Sequence, residues 1–173
     1  RTGTENYSLH LIRALVREAP EDRFRLYLSQ TPTDGLLPRD DRVEWRVMRF
    51  ARLWTLVRLS WEMAWRPPEV LFVPAHVIPP IHPRASVVTV HDLGYLRYPQ
   101  AHGTWSRRYL DWSTRYSVTV ARRVVVDSLA TQADLRHYYG VDDGRMRLAY
   151  PAGAESMAPV SDARLVAAAQ RAV

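Results

Sequence analysis

The run Ser86-Val87-Val88-Thr89-Val90, ending abruptly in His91-Asp92, constrains this chain more than any other stretch. A continuous β-branched run reads as a parallel strand buried on both faces. Its carboxyl end delivers two polar side chains to the side of an open α/β sheet where ligands bind. The residues after it, Leu93-Gly94-Tyr95-Leu96-Arg97-Tyr98-Pro99, hold a glycine for an unusual backbone angle and a proline stop, so they read as a loop over a cleft. Asp92 and Tyr95 belong to that cleft, and His91 faces a substrate.

Further strands and helices can be placed around this run. Residues 5–17 form a helix with Tyr7, Leu11 and Leu15 on its apolar face, Leu9, Ile12 and Val16 on the flank, and Thr4 as N-cap. Gly3, beside that helix start, lets backbone N–H groups approach an anion, although for a lone glycine a plain turn and cap is the favoured reading. Arg23 to Leu28 and Val43 to Met48 alternate as short strands on either side of a turn-rich loop. Phe50, Trp54, Val57, Trp61 and Trp65 share one helical face with arginines opposite, a pattern that fits core packing better than an anionic bilayer. Pro67-Pro68 stops that helix, and Val70 to Val73 is the next strand.

The loop that follows carries four prolines between Pro74 and Pro83 and places His76 near His91. The two histidines lack the helix-face spacing of a metal pair, which favours ligand contact or loop packing over a metal. Residues 104–120 form a helix with Trp105, Tyr109, Trp112 and Tyr116 on one side, read as a cover on the sheet. Val124-Val125-Val126-Asp127-Ser128 is a buried strand with polar residues at its end, where Asp127 or Ser128 caps a helix from Leu129 to Tyr139 that Gly140 closes. Arg145 to Tyr150 is the last strand, and residues 161–173 have helical propensity.

Composition narrows the function classes. The 173 residues suffice for one full domain with a core, and no run approaches the ~18 uninterrupted apolar residues of a membrane span. With no cysteine, thiolate metal sites and disulfides are excluded, and a reducing compartment is the simpler setting. The net charge is +6 and every basic residue is arginine, a residue that favours forked contacts to phosphate or carboxylate. The arginines are scattered and no nucleic-acid motif occurs, which argues against a nucleic-acid partner. A dehydrogenase needs a G-x-G-x-x-G turn that is absent here. Arg1 at the front, with no apolar leader, is read as a trimmed start.

Five segments in order, each at a strand end or helix start, carry a resemblance. Gly3-Thr4-Glu5-Asn6-Tyr7-Ser8, Leu71-Phe72-Val73-Pro74-Ala75-His76, Val88-Thr89-Val90-His91-Asp92-Leu93, Val124 to Thr131 and Tyr150-Pro151-Ala152-Gly153 together resemble the amino-terminal domain of family 4 glycosyltransferases. The resemblance implies an α/β fold: a Rossmann-like parallel sheet flanked by helices, the GT-B N-terminal domain lacking its first strand. It assigns residues 1–155 to that acceptor-side domain and residues 156–173 to the start of an inter-domain linker or helix, the C-terminal donor-binding domain being absent. The first strand, central in the family's sheet, falls before Arg1.

The resemblance also implies an activity: retaining transfer of a sugar from a nucleotide-diphosphate sugar, of the GDP-mannose type, to a glycan or lipid-linked acceptor. It makes His91 the catalytic histidine beside the transferred sugar, Gly3 and Thr4 the donor-diphosphate contact, and His76, Asp92, Tyr95, Asp127 and Ser128 the substrate cleft. Asp127 is unusual there, since the family writes that strand end with a serine. No metal or other cofactor is implied. The partners are the donor, the acceptor, the protein's own C-terminal domain and a peripheral membrane contact at the cytoplasmic face. The alternative is a non-catalytic basic module that binds a nucleotide or an anionic membrane lipid.

Overall fold

The computed structural model describes residues 3–32, 35, 40–50, 53–75, 77–101 and 103–151. It opens with helix α1 (Gly3–Glu18) and strands β1 (Phe24–Leu28) and β2 (Val43–Val47). A π-helical turn (Trp54–Leu59) runs into α2 (Ser60–Trp65), followed by β3 (Leu71–Val73), β4 (Ser86–Val90) and the short α3 (Gly94–Arg97). The long α4 (Thr104–Val120), β5 (Arg123–Val126), α5 (Leu129–Tyr139) and β6 (Met146–Leu148) complete it. All strand pairs are parallel, and a helix fills the crossovers β4-α4-β5 and β5-α5-β6, whereas the described residues between β1 and β2 and between β3 and β4 hold no helix. This is a Rossmann-like α/β architecture.

The sheet order is β3-β4-β5-β6, with β1-β2 as a separate parallel pair. No ladder joins β1 to β3 among the described residues. Side chains bridge the two instead: Tyr27 of β1 packs with Met48, Leu59, Met63, Leu71 and Val73 in one apolar cluster. The main core lies around β4 and β5, where Val88, Val90, Val124 and Val126 are fully buried with Ile78, Leu93 and Leu135. The expected two-sided burial of β4 is seen in Ser86, Val88 and Val90 on one face and Thr89 on the other, all fully buried.

One helix, α5, is capped at both ends as its sequence predicts, and arginines close two others. Ser128 Oγ accepts the Thr131 N–H at 3.1 Å at the start of α5, and Gly140, at φ 62°, ends it. Arg42 donates to the carbonyls of Ala19 and Val16 at the end of α1, and Arg145 donates to those of Val118 and Thr119 at the end of α4. Cationic donors at a helix carboxyl end satisfy orphan carbonyls and oppose the negative end of the dipole.

The structure departs from the sequence reading in four places. Leu93 to Arg97 is not an open loop: Leu93 and Tyr95 are buried, and Gly94 opens α3. The inner face of α1 is carried by Leu9 and Val16, with Leu15 exposed, so the buried stripe is rotated from the one expected. Both aromatic helix faces point outward. On α2 the buried side chains are Ser60, Glu62 and Met63, while Trp61 and Trp65 are 63% and 72% exposed. On α4 the sheet side is Ser113, Thr114, Ser117 and Val118, and Trp105 is 83% exposed. Small side chains let the α4 backbone come close enough for Ser117 Oγ to accept the Ile78 N–H at 3.0 Å, a spacing that tryptophans at those positions would prevent. Residues 161–173 lie outside the described residues.

Candidate functional site

Three strand ends and two helix starts meet at His91. It follows β4 directly, Pro74 follows β3, and Asp127 follows β5, so the parallel register of β3, β4 and β5 brings all three to one edge of the sheet. His91 Nδ1 lies 3.1 Å from Asp127 Oδ2, and Nε2 lies 3.2 Å from the Pro74 carbonyl oxygen. The His91 side chain is 15% exposed and that of Asp127 19%, so both are sheltered yet still reached by solvent.

Helices α1 and α5 supply the remaining walls. The Tyr7 ring meets the His91 ring edge-on, with centroids 4.7 Å apart and planes at 86°. Its hydroxyl stands 3.4 Å from Thr89 Oγ1. Gly3 and Thr4 are exposed, one turn before Tyr7, so the positive end of α1 opens about 6 Å along the helix from the residue that touches the imidazole. A Cβ built on Gly3 would meet no atom within 4 Å. From α5, Thr131 Oγ1 donates to the His91 carbonyl at 2.7 Å and stands 3.5 Å from Asp127 Oδ1.

The structure thus brings His91 and Asp127 together, while Asp92, Tyr95 and Ser128 are engaged in other bonds. Asp92 is exposed, and its Oδ1 accepts the Gly94 N–H at 2.8 Å, a local turn that starts α3. Tyr95 belongs to the core, with its hydroxyl 2.8 Å from that of Tyr139, which donates to Asp111 at 2.7 Å. Burial is the main cause that pushes both tyrosine hydroxyls above their ordinary range. Ser128 is occupied as the α5 cap. His76 lies outside the described residues.

Tyr7, Thr131 and the Pro74 carbonyl were not singled out by sequence. The spacing Ser128-x-x-Thr131 at a helix start was a usable signal for Thr131, since residues at N-cap and third helical position face each other. Tyr7 had only its place in the Gly3 to Ser8 segment, and a backbone carbonyl has no sequence signature at all. Among the described residues no three His, Asp or Glu side chains converge in a group that could hold a metal ion. No described helix is long and apolar enough to cross a membrane.

The chemistry available is that of a polarised imidazole, held by a carboxylate, at the mouth of a sheet and beside a helix amino end. Such an arrangement can bind and orient an oxygen-rich, anionic ligand. The family model described as Glycosyltransferase Family 4 matches residues 1–152. No curated protein matches the chain.

Proposed function

The chain belongs to glycosyltransferase family 4, and from that premise we propose that it is the acceptor-side lobe of a retaining enzyme. It moves a sugar from a nucleotide-diphosphate donor of the GDP-mannose type to a glycan or lipid-linked acceptor. The observation that carries this reading is His91, which directly follows the buried β4 with its side chain sheltered yet still reached by solvent, beside the amino-terminal part of α1. In open α/β sheets this edge is where ligands sit.

Loss of a nucleoside diphosphate puts negative charge on the leaving oxygens as the glycosidic bond breaks. The backbone N–H groups of Gly3 and Thr4 stand at the positive end of α1, and in this reading they meet that charge, while His91 contacts the transferred sugar. The open space around Gly3 supports a close approach by phosphate. His76 is assigned to the same cleft because it lies two residues beyond Pro74, whose carbonyl contacts His91. The protein's own C-terminal domain forms the opposite wall and carries the nucleotide.

Transfer assays on the enzyme that contains this lobe test the reading, with GDP-mannose and UDP-glucose as donors and the product anomer read by NMR. The expected result is transfer with retention, reduced at least about 100-fold in His91→Ala. Unchanged turnover in that variant overturns the assignment of His91.

A second reading, peripheral attachment to an anionic membrane at the cytoplasmic face, is favoured by one observation. Leu53, Val57, Trp61 and Trp65, four residues apart, form an exposed apolar line, with exposed Arg49 and Arg66 at its ends. Tryptophan beside arginine suits the interface of a negatively charged bilayer. Co-sedimentation with vesicles of phosphatidylcholine, with and without phosphatidylglycerol, tests it. Pelleting that needs the anionic lipid and is lost in Trp61→Ser/Trp65→Ser supports attachment; equal recovery in the supernatant with both vesicle types removes it.

A further inference from the structure

His91 is held from two sides, and the atom on each side is an acceptor. Asp127 Oδ2 faces Nδ1 at 3.1 Å, and the Pro74 carbonyl oxygen faces Nε2 at 3.2 Å. A neutral imidazole has one N–H and one lone pair, so it can bond one of these oxygens while turning its lone pair on the other. A doubly protonated ring donates to both. Turning the ring over does not remove the conflict, because it exchanges both nitrogens for carbon atoms.

From this geometry we propose that Asp127 is the positioning residue of the site: its carboxylate takes the Nδ1–H of His91 and holds the ring as a cation. The Nε2–H rests on the Pro74 carbonyl until a substrate oxygen replaces it. The consequence of this assignment for transfer rests on the glycosyltransferase reading, but its geometry does not.

The surroundings favour the pairing. Asp127 directly precedes the N-cap of α5, so its charge lies at the positive end of that helix. The same helical turn holds the other partner, since Thr131 donates to the His91 carbonyl at 2.7 Å. The backbone of residue 91 and the carboxylate that grips its ring are therefore set by one structural unit. Of the neighbours named, Tyr7 from α1, which meets the ring, and Thr131 from α5, which bonds the His91 carbonyl, are uncharged, and Asp92 is turned to the Gly94 N–H. Asp127 contributes a carboxylate bonded to the ring.

The role open to His91 follows. A ring that already carries both protons does not remove one from the acceptor hydroxyl; it donates a hydrogen bond through Nε2 and places positive charge beside the breaking bond. The ligand that fits is an oxygen with high electron density, such as a sugar hydroxyl or a diphosphate oxygen.

Two-dimensional NMR of the imidazole nitrogens, with His91 assigned by comparison with His91→Gln, tests the proposal on the 173-residue chain. Both His91 nitrogens are expected in the protonated range at neutral pH. Asp127→Asn moves one of them to the unprotonated range, Asp127→Glu restores the pattern, and Tyr7→Phe leaves it in place because the Tyr7 hydroxyl faces Thr89. A neutral His91 ring in the unmodified protein, or nitrogen signals indifferent to Asp127→Asn, overturns it. In the enzyme, Asp127→Asn lowers kcat about 10- to 100-fold and KM by much less, as expected when a reacting group is misplaced. If no nucleotide sugar is turned over while the NMR result stands, the transferase reading fails and the positioning role of Asp127 survives; unchanged kcat in Asp127→Asn refutes its part in transfer.

Discussion

Replacing Thr131 by valine isolates the hydrogen bonds that tie the first turn of α5 to the site. Thr131 is 3% exposed, and its hydroxyl has a defined place for its one proton. The His91 carbonyl can only accept, so the Thr131 O–H donates to it at 2.7 Å. Ser128 Oγ, 2.8 Å away, then donates to Thr131 Oγ1 while accepting the Thr131 N–H at 3.1 Å. Valine keeps the side-chain shape, removes the first two of these bonds and leaves the third. Two bonds at about 1 kcal/mol each, plus the cost of stranding part of the His91 carbonyl, give about 2–3 kcal/mol. The methyl that replaces the hydroxyl returns less than about 0.8 kcal/mol. A net loss of about 2 kcal/mol lowers the urea midpoint by about 1 M for a domain of this size, at unchanged slope. Thr131→Ser keeps the whole set of bonds and loses one methyl, about 0.8 kcal/mol. Equilibrium unfolding followed by circular dichroism measures both. A valine variant as stable as the serine variant refutes the bond assignment, because packing alone then accounts for the residue.

Two further outcomes follow from other parts of the fold. Gly140 ends α5 at φ 62°, so Gly140→Ala costs about 1 kcal/mol in the same unfolding assay, and a neutral result contradicts the left-handed cap. Burial raises the hydroxyl pKa of Tyr95 and Tyr139 above 10, so the folded protein keeps protons that the unfolded chain releases. Their contribution is fully present below about pH 10 and is lost as the pH climbs beyond it. Unfolding midpoints measured from pH 8 to 11 should fall at the alkaline end, and less steeply in Tyr139→Phe.

The strands were legible either as β-branched runs, as in β4 and β5, or from alternation, as in β1 and β2, and burial of β4 on both faces was already implied by the unbroken Ser86 to Val90. Helix limits were legible where a cap exists, as at Ser128 and Gly140. The orientation of α2 and α4 was not, because a period of 3.6 shows which residues share a face and says nothing about what that face touches. A second stripe of small residues, Ser113, Thr114 and Ser117, was present on α4, and close packing against the sheet selected it over the aromatic one. At the site, His91 could be placed at a strand end from its neighbours alone. Its partners could not: Tyr7 is 84 positions away, and the pairing with Asp127 depends on how far β5 extends beside β4.

The arginines show why net charge was a weak guide to partners here. Arg42 and Arg145 close helix ends, Arg97 grips buried Asp134 with two bonds of 2.8 and 2.6 Å, and Arg136 pairs with Asp143. Each of these cations is engaged by the fold itself, so a formal +6 overstates the charge offered to a partner. The apolar line through Trp61 and Trp65 has the opposite character: it lies on the solvent side of a helix whose inner face is already filled by Leu59, Ser60, Glu62 and Met63. A large exposed apolar patch is the more informative departure from an ordinary surface than a surplus of arginine. Attachment to a membrane therefore depends on the tryptophans more than on the total charge. Trp61→Ser/Trp65→Ser should abolish vesicle binding, whereas replacing Arg136, held by Asp143 on the α5 side, should leave it unchanged.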